Sequence, residues 1–401
     1  MPSLTIMFTW EIGQGFGHVF PLLPIARELQ SAGHRVIFAL RDVRGAGALL
    51  QREGFTVLQA PFHPDRFFPA NGPQPQSMAD ILSVFGFTNR VHLSGMAAAW
   101  RSLYDLCQPD VVVASYAPLS LLCARAAGIP TVLMALPFEL PADVHPSMVF
   151  RTGLPAADAR ADERVIGAVN QVFANSPVTT VRGVFAADKT FMMSYPELDA
   201  FGPRTDVEYI GSLFVSDVGN PPRWPDGEHP FKVLAYLNAD IPALDLLREE
   251  IHASPYAYCV TLRDGTEAML AQWRAPNVWI VNDQILLAQA LRECDAVLTY
   301  GGVGFVSASL LAGKPMVFYI RQLEQYFTAR QVVKLGAGVH PQTPQGVRQA
   351  LDVVLHTPSY AEAAQRFSQT YQGHQPQAIA IQIVSKICAV SQNAKNTKAV
   401  I

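Results

Sequence analysis

The feature that most restricts the fold of this chain is an alternation of short apolar runs with longer segments whose apolar residues recur at helical spacing. LTIMFTW (4–10) is typical of a buried strand, and RVIFAL (35–40) predicts a second one. Between them, helical spacing extends over 17–33, where Gly33 is suited to end a helix. A strand, a helix and a strand with short connections predict a right-handed crossover in a parallel sheet. The chain is therefore expected to be of the α/β class.

The same alternation continues through most of the chain and is interrupted once. Further strands are predicted at 55–60, 110–115, 131–136, 232–237, 257–262, 278–282, 296–300 and 315–320. Further helices are predicted at 118–128, 242–253, 285–294, 306–313, 327–338 and 377–390. The interruption, at 215–231, contains four prolines and two glycines, a composition typical of a linker.

The length and the interruption together predict two domains. A chain of 401 residues is long for one hydrophobic core. We expect an N-terminal doubly wound domain at 1–214, a linker at 215–231 and a C-terminal doubly wound domain at 232–376. A last helix and tail, 377–401, are expected to pack back on the N-terminal domain. Ligands of such sheets bind beyond the carboxyl ends of the strands, so the default site is a cleft across which the two domains face each other.

Charge and cysteine content disfavour several classes of function. The formal net charge is −3, so a nucleic-acid partner has no support from charge. The five cysteines are odd in number and widely separated, which indicates neither a disulfide framework nor a zinc site. Their apolar neighbours are typical of buried thiols in a reducing compartment, and the start of the sequence has no signal-peptide pattern, so a cytoplasmic protein is expected. The sequence leaves the oligomeric state open.

The uncharged window 296–313 is the best candidate for a membrane span, but it barely reaches the minimum length. Gly301, Gly302 and Gly304 lie inside it, and their cost in a helix disfavours a span. Because a strand is predicted before these glycines and a helix after them, GGVG (301–304) is interpreted as the turn between the two. Such a turn presents free N–H groups at the positive end of a helix, where phosphate binds. A tight turn without a ligand has the same pattern.

Two longer stretches resemble one enzyme family. Residues 294–339, CDAVLTYGGVGFVSASLLAGKPMVFYIRQLEQYFTARQVVKLGAGV, are similar to the donor-binding segment of the GT-B glycosyltransferases, which include bacterial macrolide and plant natural-product enzymes. Residues 15–39, GFGHVFPLLPIARELQSAGHRVIFA, are similar to the family's N-terminal acceptor segment. The resemblance implies two Rossmann-like domains and transfer of a sugar, with inversion, from a nucleotide diphosphate of UDP or dTDP type to a hydroxyl of a small acceptor. It also implies that neither a metal nor another cofactor is required.

The resemblance places the donor diphosphate at the GGVG turn, with two departures from the family pattern. The backbone of Gly302, Val303 and Gly304 is retained as the phosphate-binding element. The family's His before the glycines is Tyr300, whose phenol can donate a hydrogen bond but carries no positive charge. The position after the turn, usually Ser or Thr, is Phe305. These five residues are the candidates for binding the diphosphate.

Other donor contacts of the family are partly retained. Glu324 and Gln325 match the acidic residue and the Gln that hold the sugar hydroxyls. The Glu that holds the ribose hydroxyls aligns with Ala308, and NDQILL (282–287) stands where many relatives frame the base. The resemblance therefore supports the sugar end of the donor site more than its ribose end.

The N-terminal half supplies a candidate general base. His18 matches the family's His that takes the proton from the acceptor hydroxyl, a role suited to imidazole near neutral pH. The Asp that pairs with this His aligns with Ser115, which can orient the ring but cannot offset its charge. Glu11 is close to His18 in sequence and could replace the missing Asp.

Three further features have weaker interpretations. The segment 61–76, rich in Phe and Pro, is predicted to be a loop, either a wall of an apolar acceptor site or an ordinary surface loop. His63 and His92 lack partners at metal-ligand spacing, so no metal site is predicted.

Two kinds of function stay open. The first is a glycosyltransferase with a small, largely apolar acceptor. The second is a catalytically degenerate GT-B protein that binds a sugar or nucleotide, or acts as a partner protein, which the departures from the family pattern would explain. The retention of His18, Glu324 and Gln325 favours the enzyme.

Overall fold

The computed structural model describes residues 3–13, 16–62, 74–150, 159–213, 219–281 and 284–400. The chain divides into two compact units. The first unit consists of Met1–Met193, Arg204–Leu213 and Pro376–Ile401, and the second of Ser194–Pro203 and Phe214–Gln375. Residues 194–203 therefore belong to the second unit, although they lie within the segment expected to form the N-terminal domain.

The first unit is built on a parallel sheet. Its strands are β1 (Thr5–Trp10), β2 (Arg35–Leu40), β3 (Thr56–Gln59), β4 (Val111–Ser115), β5 (Thr131–Ala135), β6 (Lys189–Met192) and β7 (Glu208–Tyr209). Their order is β3-β2-β1-β4-β5-β6-β7, a doubly wound sheet whose winding reverses between β1 and β4. β4 and β5 are buried along their whole length, which is why they form continuous apolar runs in the sequence.

The first unit contains more helices than the sequence predicts, and the first of them differs from the predicted one. Up to residue 172 they are α1 (Leu23–Ser31), α2 (Ala46–Arg52), α3 (Met78–Val84), α4 (Arg90–Cys107), α5 (Pro118–Ala126) and α6 (Ala159–Val172). The helix predicted at 17–33 is instead two 3₁₀ turns, Phe16–His18 and Phe20–Leu22, followed by α1. Pro21 and Pro24 explain the difference, because proline has no N–H and is tolerated only in the first turn of an α-helix.

The second unit repeats the same architecture. Its strands are β8 (Lys232–Asn238), β9 (Ala257–Arg263), β10 (Val278–Val281), β11 (Ala296–Thr299), β12 (Met316–Phe318) and β13 (Gly338–Val339). They form a parallel sheet in the order β10-β9-β8-β11-β12-β13. Apolar cores cover both faces of this sheet, with Leu234 in one core and its neighbours Val233 and Ala235 in the other.

Two helices of the second unit begin earlier than the sequence predicts. The helices are α7 (Leu244–His252), α8 (Glu267–Gln272), α9 (Leu287–Glu293), α10 (Val303–Leu311), α11 (Leu323–Lys334), α12 (Gly346–His356) and α13 (Pro358–Thr370). α10 was expected from 306 and α11 from 327. Half of the GGVG sequence is therefore the first turn of a helix, and Glu324 and Gln325 lie in the first turn of α11.

The described part of the predicted linker packs against the second unit. Asn220 pairs with Ile285 through an isolated parallel bridge. The indole N–H of Trp224 donates to Glu293 Oε2 at 2.7 Å. Residues 219–231 are thus fixed to the unit that follows them, whereas 214–218 lie outside the described residues.

The last helix returns to the first unit. α14 (Pro376–Val400) packs against α1. Within this contact region, Cys388 Sγ lies 3.4 Å from Nε2 of His34, which directly precedes β2. Across the ranges that the structure describes, no helix combines the length and the hydropathy needed to cross a bilayer.

Candidate active site

His18 lies in a buried aromatic environment beyond the carboxyl end of β1. It ends the first 3₁₀ turn of the chain, and only 6% of its surface is exposed. The indole of Trp10, the last residue of β1, is stacked on the imidazole with ring centroids 5.4 Å apart. The ring of Tyr116, the residue after β4, has its centroid 5.9 Å from that of the imidazole. These contacts hold the imidazole of His18 in a fixed orientation.

A carboxylate lies against this imidazole. Glu139 Oε1 is 2.8 Å from Nδ1 of His18, and Glu139 is 3% exposed. The second oxygen, Oε2, accepts the backbone N–H of Leu136 at 3.0 Å. A buried carboxylate needs such partners, since isolated charge is costly away from water. The loop after β5 therefore supplies an acid that can stabilise a protonated His18.

Glu139 was not among the predicted site residues, although the sequence carries a signal for it. In TVLMALPFEL (131–140), Glu139 is the one charged residue of an apolar stretch that follows a strand. Because the carboxyl ends of β1 and β5 lie at the same edge of the sheet, an acid after β5 can reach a base after β1.

The imidazole of His18 lies directly against the backbone at Gly13, and this contact requires a glycine. Gly13 has φ of +95°, and a Cβ at this position would lie 2.2 Å from His18 Nε2. No side chain fits there without displacing the imidazole. Gly13 therefore permits the position of His18.

The residues expected to pair with His18 make other contacts. Ser115 ends β4 and is fully buried, and its Oγ has no hydrogen-bond partner among the described residues. Glu11 accepts the backbone N–H groups of Leu119 and Ser120 at 2.9 and 2.7 Å, in the first turn of α5. The structure thus places Glu139, rather than Ser115 or Glu11, at the imidazole.

Glu11 has an unusual electrostatic environment. Burial raises its pKa from 4.5 to about 7, and the two backbone hydrogen bonds oppose this shift only in part. A negative charge at the start of a helix is favourable, but the cost of desolvating the carboxylate is larger. The neutral form of Glu11 therefore prevails below pH 7.

In the second unit, the GGVG turn joins β11 to α10. Gly301 has φ of +93°, and a Cβ there would lie 3.3 Å from the backbone oxygen of Gln325. Gly302 is the N-cap of α10, and its carbonyl accepts the N–H of Val306 at 2.9 Å. The N–H groups of Val303, Gly304 and Phe305 precede this first helical bond and have no acceptor within the helix. These three N–H groups can bind an anion at the start of α10.

The side chain of Phe305 is a core residue. It is 3% exposed and stacks on Tyr236 with ring centroids 4.3 Å apart and planes within 11°. The candidate diphosphate contact at this position is therefore limited to its backbone N–H.

Tyr300 contacts Arg263, a cation that was not among the predicted site residues. Nη1 of Arg263, the last residue of β9, donates to Tyr300 Oη at 3.2 Å. Tyr300 in turn lies on Tyr236 of β8, with centroids 5.7 Å apart. The guanidinium of Arg263 therefore places a positive charge beside the phenol of Tyr300, which has none of its own.

The two candidate sugar-binding residues differ in their environment. Gln325 is buried, and its Oε1 accepts the backbone N–H groups of Arg321 and Gln322 at 3.0 and 3.1 Å. This contact stabilises the start of α11 and occupies the amide oxygen. Glu324 is half-buried, and its carbonyl accepts the hydroxyl of Thr328. The group of Gln325 that remains to be assigned is thus the amide nitrogen.

Several predicted features lie outside the described residues. These are His63, most of the loop at 61–76, and the first two positions of NDQILL. His92 lies in the first turn of α4. The described ranges contain no group of three or more His, Cys, Asp or Glu side chains arranged to hold a metal ion.

Comparison with known proteins finds glycosyltransferases among the relatives and structural neighbours of this chain. Residues 259–386 match the model of the erythromycin biosynthesis protein CIII-like C-terminal domain. L-demethylnoviosyl transferase of Streptomyces niveus is 25% identical over 347 residues, which cover 81% of this chain and 82% of that protein. The solved structure of glycosyltransferase VinC in complex with dTDP superimposes with a TM-score of 0.68 over 97% of this chain and 100% of VinC, at 18% identity. Together these matches support assignment of the chain to the GT-B glycosyltransferases, whose fold it shares.

These comparisons confirm the predicted fold and enzyme class. The chain also matches the TDP-daunosamine transferase DnrS of Streptomyces peucetius, at 36% identity over 96 residues that cover 22% of each chain. Relatives and neighbours of this kind indicate a glycosyltransferase of natural-product type. The roles of individual residues in the glycosyltransferase rest on the geometry described above.

Proposed function

We propose that this glycosyltransferase moves a sugar from a nucleoside diphosphate of UDP or dTDP type to a hydroxyl of a small, largely apolar acceptor, with inversion and without a metal ion. The observation that carries the proposal is the buried pair of His18 and Glu139, 2.8 Å apart. The bound dTDP named for VinC and the TDP-sugar named for DnrS support a donor of this class.

The first unit provides the base in this proposal. His18 takes the proton of the acceptor hydroxyl while the oxygen forms its bond to the anomeric carbon. Glu139 contacts Nδ1 and stabilises the imidazolium that results, so Nε2 is the nitrogen that accepts the proton. The aromatic rings of Trp10 and Tyr116 beside His18 favour an acceptor with an apolar body.

The second unit provides the donor site. As the new bond forms, the bond from the anomeric carbon to the β-phosphate oxygen breaks, and the nucleoside diphosphate leaves with the electron pair. The free N–H groups of Val303, Gly304 and Phe305 and the positive end of α10 stabilise the charge that develops on this oxygen. A direct attack opposite the leaving group inverts the anomeric centre, and the helix end takes the neutralising role that a metal has elsewhere.

The alternative of a degenerate binding protein has two observations in its favour. Phe305 replaces a hydroxyl with a buried ring, and the amide oxygen of Gln325 is occupied by the start of α11. A protein with these features could retain nucleotide binding and lose transfer.

Two measurements on the full chain separate these functions. Calorimetric titration with dTDP, UDP and GDP, and with their sugars, tests whether a diphosphate binds; turnover with a panel of apolar hydroxyl acceptors tests transfer. We expect micromolar binding of one nucleotide, and we expect His18→Ala to abolish transfer while leaving donor affinity unchanged. His92→Ala, in α4 of the same unit, is the control. Tight donor binding with neither transfer nor donor hydrolysis would favour the binding protein, and equal activity of His18→Ala would remove His18 from the mechanism.

A further inference from the structure

A positively charged side chain lies at the edge of the second sheet where α10 begins. β9 is next to β8, and β8 is next to β11, so their carboxyl ends share one edge. Arg263 ends β9, and Tyr300 directly follows β11. Tyr236, on β8 between them, packs beneath Tyr300. The order of the strands therefore brings Arg263 close to a helix end from which it is about forty positions distant in sequence.

One phenol oxygen connects the guanidinium to the N-cap of α10. Tyr300 Oη is 3.2 Å from Nη1 of Arg263 and 3.6 Å from the position that a Cβ on Gly302 would take. The phenol ring thus lies over the glycine that begins the helix. The guanidinium and the free N–H groups of the first helical turn are on the same side of the sheet edge.

Arg263 forms no salt bridge with any carboxylate in the described ranges. The nearest acid in sequence, Asp264, accepts the amide of Asn238 at 3.1 Å. Arg263 is half-buried, and its hydrogen-bond partner Tyr300 is stacked on Tyr236. Guanidinium remains protonated throughout the physiological range and presents a planar set of donors that matches phosphate oxygens.

We propose that Arg263 binds the diphosphate of the donor, with Tyr300 positioning its guanidinium. This inference rests on the proposed function, because it assigns a residue to the same donor site. Tyr300 supplies the hydrogen bond and Arg263 supplies the charge, while the α10 N–H groups bind the remaining phosphate oxygens. The pair selects for a nucleoside diphosphate over the corresponding nucleoside, since the cation has no partner on an uncharged ligand.

The test compares ligands that differ only in the diphosphate. The full chain and Arg263→Gln are titrated with dTDP and with thymidine, or with UDP and uridine if UDP is the ligand that binds. We expect Arg263→Gln to weaken diphosphate binding roughly tenfold or more, as loss of a charge-assisted contact does. Nucleoside affinity is expected to be unchanged. Diphosphate binding by the unsubstituted chain is also expected to fall more steeply with salt than binding by Arg263→Gln.

Three further variants make the result specific. Arg263→Lys keeps the charge without the planar donors and should retain part of the affinity, which keeps the test valid if Arg263→Gln does not fold. Tyr300→Phe should weaken diphosphate binding less than Arg263→Gln. Arg248→Gln, a control on α7 whose guanidinium pairs with Asp245 and Gln272, should bind like the unsubstituted chain.

The outcomes separate this inference from the function on which it rests. Equal diphosphate affinity of Arg263→Gln and the unsubstituted chain would overturn the role of Arg263 alone. An equal loss for the diphosphate and the nucleoside would also overturn it, because it would indicate a structural effect. Failure of the unsubstituted chain to bind any nucleoside diphosphate would overturn the proposed function together with this inference.

Discussion

The carboxylate of Glu139 lies 2.8 Å from the imidazole of His18, and both side chains are buried at the edge of the first sheet. The two residues are 121 positions apart in sequence. Their contact gives His18 the acidic partner that is absent at position 115. Substitution of Glu139 is therefore the first test of the mechanism.

Replacing Glu139 by Gln should remove the negative charge and keep the size of the side chain. We expect kcat to fall roughly 100-fold or more, because a neutral amide does not stabilise the imidazolium. Affinity for the donor, measured by calorimetry, should be unchanged. Glu53→Gln, which removes a carboxylate paired with Arg27 in the same unit, is the control. Ser115→Ala tests the alternative partner, and a larger loss there than in Glu139→Gln would contradict the assignment to Glu139.

Replacing Gly13 by Ala should displace His18. The new Cβ would lie 2.2 Å from Nε2, and φ of +95° costs about 1 kcal/mol for a residue with a side chain. Gly33→Ala is a matched control, because φ is +83° there but no atom lies within 4 Å of the new Cβ. We expect both variants to lose stability in denaturant unfolding and only Gly13→Ala to lose most of its turnover. Similar turnover in the two variants would show that the position of His18 is not critical.

The pKa of Glu11 predicts a pH dependence of stability. Because burial raises this pKa to about 7, folded Glu11 keeps a proton between pH 4.5 and 7 that the unfolded chain releases. The free energy of unfolding should therefore fall as pH rises through this window and level off above it. The effect across the whole window is about 3 kcal/mol, at about 1.4 kcal/mol for each pH unit.

Glu11→Gln should reduce this dependence, since an amide does not titrate. The measurement is urea unfolding of both proteins at several pH values from 5 to 8, and the difference between them isolates position 11. Identical slopes would mean that Glu11 is ionised in the folded protein throughout the window.

Substitutions of Gln325 can separate a structural role from sugar binding. Gln325→Glu keeps an oxygen that accepts the N–H groups of Arg321 and Gln322, and a negative charge is favourable at the start of α11. It removes only the amide nitrogen as a donor. We expect stability close to that of the unsubstituted chain, whereas Gln325→Ala should lose about 1 kcal/mol with the cap.

The binding measurement for Gln325 compares a nucleotide with its sugar. If the amide nitrogen holds a sugar hydroxyl, Gln325→Glu should weaken binding of the nucleotide-sugar and leave binding of the nucleoside diphosphate unchanged. Loss of affinity for both ligands would instead indicate that the substitution disturbs the helix start.

Much of the fold was predictable because it depends on local patterns. Continuous apolar runs identified the buried parallel strands, and glycines marked the turn between β11 and α10. The starts of helices were less predictable. Prolines delayed α1, and α10 and α11 begin three or four residues earlier than their apolar spacing suggests, because polar and glycine residues in the first turn do not contribute to that spacing.

The sequence by itself determined the α/β class, the family resemblance and the candidate base His18, since these depend on residues close together in the chain. Only the tertiary structure decided which side chains lie next to the candidate site residues His18 and Tyr300. Glu139 contacts His18, and Arg263 contacts Tyr300. In each case the two residues follow or end strands that lie close together in one sheet but are distant in sequence. Sheet order sets these contacts, and no local pattern specifies it, so the charges of both sites became apparent only in the folded chain.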